Sequence, residues 1–125
     1  MIFDTDILVW VEKDNPHAIR WVDEAERRSI SAQTYMELLQ GAKNVEQQQK
    51  VKKYLSGMEF HTLAITENIS HRAMNYIEEY GLSHGLLAGD ALIAATATEH
   101  NLILATGNAK HFRAIKGLQL KVFKP

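Results

Sequence analysis

Apolar residues follow two alternating patterns along the chain: short continuous or extended runs, and longer stripes with a helical period. The short runs predict β-strands, because a brief apolar segment bounded by turn residues suits a buried strand. They lie at residues 2–4, 29–31, 58–63, 102–105 and 118–123. The stripes return every three or four residues and predict helices. They lie at residues 16–28, 32–42, 45–56, 67–80 and 86–99.

Strands that alternate with helices predict an α/β sandwich, in which helices flank a central, mostly parallel sheet. A chain of 125 residues suits one compact unit, so we expect a single domain over residues 1–125. Ligands of such folds bind beyond the carboxyl ends of the strands. Asp4 ends the first predicted strand, and Asn108 follows the strand at 102–105. Both are expected at the same edge if these strands are parallel.

The helix predicted over residues 67–80 has the clearest period, with Thr66 as its N-cap and Gly81 as its stop. A short helical piece is expected after the turn at Thr106, Gly107 and Asn108. The apolar residues that follow Asp6 are expected in a helix that packs against the same edge of the sheet.

Charge is distributed unevenly although the formal net charge is only −1. Residues 101–125 contain basic residues and no acid, giving +5 against −6 for the rest. This asymmetry is typical either of a nucleic-acid contact or of a solvated basic tail. The absence of cysteine excludes disulfides and thiolate chemistry. No run has the length of a membrane span and no secretory signal opens the chain, so we expect a cytoplasmic protein.

Asp4 and Asp6 lie one residue apart in the otherwise apolar segment IFDTDILVW. A buried carboxylate is costly unless it is paired or binds a metal. An aspartate between a strand and a helix also caps the helix, because it accepts hydrogen bonds from the first N–H groups. Capping explains one acid well and two poorly, so both interpretations stay open.

Thr34 and Glu37 have the spacing of a capping box, in which the glutamate reaches back to the N-cap of its own helix. On spacing alone this structural interpretation is favoured. Ser31 is also a good N-cap, and a helix that begins there would place Glu37 in mid-helix, opposite Leu38. Gly41, on the same face as Glu37, would then let another segment or a ligand approach.

Asp90 lies in the segment LLAGDALIAATA, whose small apolar residues predict a helix with much of its surface buried. An ionised aspartate there needs a partner, which favours a functional role. Leu86 and Leu87 indicate that the helix has already begun before Asp90, which weakens the alternative of a cap. Asn108, in the sequence TGN, is typical of a turn, although its side-chain oxygen could also bind a cation or its water.

Three carboxylates gathered in one place repel one another, by about 4 kcal/mol for each close pair at an effective dielectric of 20. A divalent cation removes this penalty, and oxygen ligands select Mg²⁺ or Mn²⁺ over zinc. The six histidines show neither an HExxH motif nor a pair at i, i+4 spacing, and are expected on the surface. Neither a GxxxxGK[ST] loop nor a GxSxG elbow is present.

Four segments of the chain, FDTDIL, SAQTYMELLQGA, GDALIAATA and ILATGNAKHF, occur in this order across nearly its whole length. Each is weak evidence alone. Together they resemble the PIN-domain proteins, and specifically the VapC-type toxin ribonucleases of toxin–antitoxin pairs. The resemblance implies a PIN-like, Rossmann-like sandwich that hydrolyses RNA phosphodiester bonds.

The resemblance also implies the residues of the site. Asp4, Glu37 and Asp90 would be the catalytic carboxylates and the ligands of Mg²⁺ or Mn²⁺. The fourth acidic position of many PIN domains falls on Asn108, which is an amide. Asp6 falls where the family often has asparagine, and would be an extra ligand, a helix cap, or both.

Substrate and partners follow from the same resemblance. Thr106 matches a family hydroxyl near the metal or the phosphate, and Lys110 opens the basic segment 110–124. Together with Lys50, Lys52 and Lys53, that segment would follow the RNA backbone. A homodimer is implied, as is a cognate antitoxin whose C-terminal segment covers the acidic cleft, often with an arginine that pairs with the carboxylates.

Three other functions compete with a ribonuclease. A haloacid-dehalogenase-type phosphatase also has two aspartates in DxD spacing after its first strand, but FDTDIL lacks the Gly-Thr that usually follows. A receiver-like signalling domain needs an aspartate at the end of a central strand, and residues 50–66 contain none. A PIN scaffold that binds RNA without cutting it stays open because of Asn108.

Overall fold

The computed structural model describes all 125 residues and contains a five-stranded parallel sheet with helices on both faces. The strands are β1 (Ile2–Phe3), β2 (Ser29–Ser31), β3 (His61–Leu63), β4 (Leu104–Thr106) and β5 (Leu120–Val122). The helices are α1 (Thr5–Glu12), α2 (Pro16–Glu24), α3 (Ala32–Gln40), α4 (Val45–Gly57), α5 (Glu67–His84), α6 (Ala88–Glu99) and α7 (Ala109–Phe112). The predicted α/β sandwich is confirmed.

The strands lie in the order β3-β2-β1-β4-β5, so β1 is central and pairs with both β2 and β4. Successive strands are added on one side from β1 to β3 and on the other side from β4 to β5. The boundary between β1 and β4 is therefore a topological switch point, where α/β folds bind their ligands. The N–H of Asp4 donates to the carbonyl oxygen of Ala105 at 2.9 Å, which places the ends of these two strands side by side.

Two separate apolar cores cover the sheet, because successive side chains of a strand point to opposite faces. Ile2 and Leu104 belong to the core formed with α5, α6 and α7. Phe3 and Ala105 belong to the core formed with α1, α2, α3 and α4. Since β1 is buried on both faces, the residue that follows it, Asp4, emerges directly from a dry interior.

The end of α2 differs from the prediction. The helix ends at Glu24 and not at residue 28, because Ala25 leaves helical geometry with ψ 129°. Arg28 folds back, and its guanidinium donates to the carbonyl oxygen of Val22 at 2.6 Å and to that of Met58 at 3.0 Å. The same guanidinium donates to the carbonyl oxygen of Asp23 at 3.0 Å, so this side chain supplies donors to the last turn of α2.

The end of α5 also differs. The predicted N-cap is confirmed, since the Thr66 hydroxyl accepts the N–H of Ile69 at 3.2 Å. The helix continues through Gly81, however, and ends at His84, where Gly85 takes the left-handed conformation with φ +65°. A glycine inside a helix costs stability without breaking it, and only the left-handed position requires one. No helix of the structure has both the length and the apolar character needed to cross a membrane.

We expect Gly85→Ala to lower the free energy of unfolding by about 1 kcal/mol, because a Cβ disfavours its left-handed backbone. Gly57 provides the matched control, since it is the last residue of α4 and has no atom within 4 Å of an added Cβ. Gly57→Ala should be neutral or stabilise by up to about 1 kcal/mol. Urea unfolding measures both, and equal destabilisation by the two changes would contradict the explanation.

Candidate active site

Asp4 is the first residue after β1, the N-cap of α1, and only 4% exposed. One carboxylate oxygen, Oδ1, accepts the N–H of Thr5 at 2.8 Å. The other, Oδ2, accepts the hydroxyl of Thr106 at 2.7 Å. Asp4 is thus a helix cap and, at the same time, a carboxylate held at the end of the central strand.

The ionised form of Asp4 is destabilised by its surroundings. Burial is the main reason that its pKa is raised to about 7, and the charges of Asp6 and Asp90 add to the increase. The hydrogen bonds from Thr106 and Thr5 oppose it, because they favour the ionised form. A carboxylate in this state is stabilised by any nearby positive charge, and such perturbed groups are concentrated at functional sites.

Asp6 lies in the first turn of α1 and reaches across to the turn after β4. Its Oδ2 accepts the N–H of Gly107 at 2.9 Å, while its Oδ1 is buried and has no hydrogen-bond partner. Burial raises the pKa of Asp6 as well. A Cβ on Gly107 would lie only 2.6 Å from Asp6 Oδ2, so this close approach requires glycine.

Glu37 is in the middle of α3 and not in a capping box. The N-cap of α3 is Ser31, whose hydroxyl oxygen accepts the N–H of Thr34 at 2.9 Å. The favoured interpretation of the Thr34 and Glu37 spacing was therefore wrong. Oε1 of Glu37 instead accepts the hydroxyl of Thr5 at 2.6 Å, which ties α3 to the DTD segment.

Helix α6 approaches Glu37 at Gly89, and not at Gly41, the glycine that the sequence spacing indicated. Gly41 is the C-cap of α3, and a Cβ there would meet only backbone oxygens of the same helix. A Cβ on Gly89 would lie 3.4 Å from Oε2 of Glu37 and 3.1 Å from Nε2 of Gln33. The first turn of α6 therefore packs against the Glu37 carboxylate, one residue before Asp90.

Asp90 lies in the first turn of α6, because this helix begins at Ala88, later than the predicted start at residue 86. A carboxylate in the first turn interacts favourably with the helix dipole. Its Oδ2 is 3.3 Å from Nδ1 of His111, which is exposed as expected, with 43% of its side chain accessible. Burial raises the pKa of Asp90, His111 lowers it, and the charge of Glu37 raises it.

Three further predicted positions lie at the end of β4 or just after it. Thr106 is fully buried, and its hydroxyl donates to Asp4 and accepts the N–H of Asn108 at 2.9 Å. The hydroxyl thus holds Asp4, and its place near the metal or the phosphate stays a prediction. Asn108 is exposed and its side chain makes no capping bond to α7. Lys110 is exposed and takes part in none of the ion pairs.

As the side chains are placed, no three acidic or imidazole groups could hold one metal ion. Each carboxylate takes a donor of its own: Thr106 for Asp4, Thr5 for Glu37 and His111 for Asp90. The residues nevertheless fit a hard cation in their chemistry. Their carboxylates are close enough to raise one another's pKa, and the buried Oδ1 of Asp6 has no donor.

Three residues of this arrangement were not identified from the sequence: Thr5, Gly107 and His111. Thr5 carries a hydroxyl between two acids, and that position was the available signal. Gly107 stands in the turn directly after a predicted strand, where ligands of parallel sheets bind. His111 had no signal beyond its place shortly after Asn108, because its contact with Asp90 joins distant parts of the chain.

A parallel sheet with acidic residues at its topological switch point is typical of a known family of folds. Residues 1–118 match the PIN domain family, and the chain belongs to that family. Among relatives, Ribonuclease VapC10 from Mycobacterium tuberculosis is 35% identical over 115 residues, which are 91% of this chain and 76% of that protein. The resemblance to VapC-type members is thus confirmed.

Solved structures agree with this assignment. A toxin–antitoxin complex from Klebsiella pneumoniae contains a chain with 34% identity and a TM-score of 0.80, and the match covers 94% of this chain and 93% of that one. VapBC2 from Rickettsia felis, bound to a DNA fragment from their promoter, has a chain with 26% identity and a TM-score of 0.80. That match covers 99% of this chain and 100% of the other.

Proposed function

We propose that this chain is the toxin of a VapBC-type pair and acts as a Mg²⁺- or Mn²⁺-dependent endoribonuclease. Membership of the PIN family supports this function, as does similarity to a protein named a ribonuclease and to a chain in a toxin–antitoxin complex. The observation that carries the proposal is the meeting of acids from α1, α3 and α6 beside the switch point of the sheet.

Asp4, Glu37 and Asp90 are the proposed metal ligands and catalytic carboxylates, with Asp6 and the amide of Asn108 as additional oxygen ligands. When bound there, a divalent cation would neutralise charge on the scissile phosphate and activate water for attack. The protein's own contribution is to hold the carboxylates. Thr106 and the N–H of Thr5 orient Asp4, and His111 Nδ1 lies against Oδ2 of Asp90.

The RNA backbone is the proposed partner of the basic segment that follows β4. Lys110 is exposed on α7, next to the acidic edge, and residues 101–125 contain no acid. Positive side chains there offset the repulsion between the phosphates and the carboxylates, and contribute affinity that falls as salt rises. Lys110 is therefore assigned to substrate binding, and Thr106 to orienting Asp4.

A cognate antitoxin is the proposed protein partner. A groove of about 620 Å³ lies between α1, α2, α3 and α4, and none of Asp4, Glu37 and Asp90 lines it. Its lining includes the apolar residues Leu8, Leu38 and Val51 and charged residues of both signs: Glu12, Asp14, Asp23, Lys43 and Lys50. This combination suits an amphipathic helix of the antitoxin. Val51→Glu should prevent the antitoxin from relieving growth arrest while leaving RNA cleavage intact.

A homodimer is the remaining proposed assembly. A second groove of about 470 Å³ lies between α5 and α6, and Met74 in its lining is 54% exposed. Leu87, beside it at the start of α6, is 66% exposed. An apolar face of this kind suits a second copy of the chain. Sedimentation of the wild type and of Met74→Lys tests the dimer.

Cleavage of RNA by the purified chain tests the proposed function. The wild type should cut with Mg²⁺ or Mn²⁺ and should stop when a chelator is added. Asp90→Asn should lose cleavage, whereas Glu79→Gln, at an exposed acid of α5, should keep it. RNA binding without cleavage under every condition would favour the non-catalytic scaffold. A trapped aspartyl phosphate would favour the phosphatase.

We expect Gly107→Ala to lower RNA cleavage by about 10- to 100-fold, the range found when groups supporting metal ligands are lost. The added Cβ would lie 2.6 Å from Asp6 Oδ2, so the carboxylate or the turn must move. Gly57→Ala, which adds a Cβ in open space, is the control. Initial rates on one RNA substrate measure the effect, and full activity of Gly107→Ala would show that this contact does not matter.

A further inference from the structure

A line of three hydroxyl groups connects the N-cap of α3 with the carboxylate of Glu37. Ser31 Oγ lies 3.2 Å from Thr34 Oγ1, which lies 3.0 Å from Thr5 Oγ1. Thr5 Oγ1 lies 2.6 Å from Glu37 Oε1. Ser31 and Thr34 are fully buried, so the line runs from the interior of the protein to the acidic site.

The carboxylate at the end of the line determines where each proton points. An ionised carboxylate only accepts hydrogen bonds, so the single hydroxyl proton of Thr5 goes to Glu37. Thr34 must then donate to Thr5, and Ser31 must donate to Thr34. Ser31 Oγ accepts the N–H of Thr34 at 2.9 Å, which leaves its own proton for the Thr34 hydroxyl. All three protons therefore point towards the site.

Aligned hydroxyl groups strengthen the last bond of the line, because each one polarises the next. The separation of 2.6 Å between Thr5 and Glu37 is that of a charge-assisted bond between a hydroxyl and a carboxylate. Thr5 is also the one side chain that donates a hydrogen bond to Glu37. Without it, Glu37 would have no side-chain donor to oppose the repulsion between its carboxylate and that of Asp90.

We propose that Thr5, supported by the buried Thr34, is the positioning residue of Glu37. Thr5 holds Oε1, so Glu37 presents its other oxygen, Oε2, to the site on the side where Gly89 approaches. The inference rests on the proposed function, in which Glu37 binds a divalent cation. It gives the middle residue of the DTD segment a role distinct from that of the two acids.

Calorimetric titration of the full chain with Mn²⁺ tests the proposal. Thr5→Val removes the hydroxyl at nearly constant volume and should weaken Mn²⁺ binding by about 10- to 100-fold. Thr5→Ser keeps the hydroxyl and should bind within about threefold of the wild type. Thr34→Val should weaken binding less than Thr5→Val does. Thr98→Val is the matched control, because Thr98 lies at the C-terminal end of α6, where its hydroxyl accepts that of Tyr76 from α5.

A double-substitution cycle shows whether Thr5 acts through Glu37. In the Glu37→Gln background, Thr5→Val should change Mn²⁺ affinity by less than about twofold, since the carboxylate that Thr5 positions is already absent. An equally large effect of Thr5→Val in both backgrounds would overturn the proposal, because Thr5 would then act by another route.

Crystal structures without metal separate this inference from the proposed function. Loss of the Thr5 hydroxyl should displace the Glu37 carboxylate whether or not a cation binds. A carboxylate that stays in place in Thr5→Val, with Mn²⁺ affinity within about twofold of the wild type, would overturn the positioning role. If the wild type binds no Mn²⁺ but the carboxylate still moves, the metal site fails and the positioning role stands.

Discussion

Asp4→Asn should abolish RNA cleavage and, at the same time, make the metal-free protein more stable at neutral pH. Cleavage should fall by about 10³-fold, since several kcal/mol of charge stabilisation depend on the cation and each 1.4 kcal/mol is a factor of ten. Stability should rise because the amide avoids burying a charge while retaining an oxygen for the N–H of Thr5.

The raised pKa of Asp4 determines at which pH its charge destabilises the folded protein. The pKa of Asp4 is about 7 in the folded protein, against a usual value of 3.8. A raised folded-state pKa means that the folded state binds the proton more tightly. The contribution of Asp4 is therefore fully present below pH 3.8 and is lost as the pH rises to about 7. The difference between the two pKa values corresponds to about 4 kcal/mol of stability. This is an upper limit for Asp4 itself, because Asp4 and Asp6 titrate together.

Unfolding by urea in the presence of chelator measures the effect. At pH 8, Asp4→Asn should be about 1–3 kcal/mol more stable than the wild type, and the gain should vanish near pH 4. Asp23→Asn, at an exposed position of α2, is the control for removing a charge. If Asp4→Asn is less stable than the wild type at pH 8, the buried charge of Asp4 does not lower the free energy of unfolding.

Divalent cations should bind about ten times more weakly at pH 6 than at pH 8. Binding requires the ionised carboxylate, and Asp4, with a pKa of about 7, must release its proton to the solvent at the lower pH. Calorimetry in buffers of different ionisation enthalpy measures both the affinity and the number of protons released. Affinity that is equal at the two values of pH would remove Asp4 from the ligands.

Bound cation should also stabilise the folded protein. At a concentration 100 times the Kd, the free energy of unfolding should increase by about 2.7 kcal/mol, since the ion binds the folded state alone. Thermal unfolding with and without Mn²⁺ measures the increase. Asp4→Asn should lose most of this increase, whereas Glu79→Gln should behave as the wild type does.

The position of Asp4 could be predicted from the sequence because it depends on local and repeated features. Alternation of strands and helices indicates a parallel sheet, and parallel strands bring the residues at their carboxyl ends to one edge. Asp4 directly follows such a strand, Thr106 is the last residue of another, and Gly107 comes next. No contact between distant residues had to be known to place these groups near one another.

The role of Glu37 could not be predicted from local sequence patterns. Ser31 and Thr34 are both good N-caps, and the second of them has the spacing of a capping box with Glu37. Spacing alone favoured the wrong interpretation. Thr5 decides the outcome in the structure, since its hydroxyl binds Glu37 from 32 positions away in the sequence. Contacts of this kind have no period and no local signature.

The predicted end of α2 and the predicted close approach at Gly41 were wrong for the same reason, because both depend on contacts between residues distant in the sequence. The end of α2 depends on Arg28, whose guanidinium reaches the carbonyl oxygen of Met58 30 positions later. Gly41 has the right spacing from Glu37, but Gly89 is the glycine that faces it, because α6 packs there. A pattern within one helix indicates which residues share a face, and it does not identify the element that covers that face.

The pairing of β1 with β4 has a consequence for the order in which the protein is made. The hydroxyl of Thr106 and the carboxylate of Asp4 are 102 positions apart, near opposite ends of the chain. During synthesis from the N-terminus, the central strand therefore has no partner on one side until almost all of the chain has emerged. A nascent or truncated chain that ends before Leu104 lacks β4, and thus the group that orients Asp4.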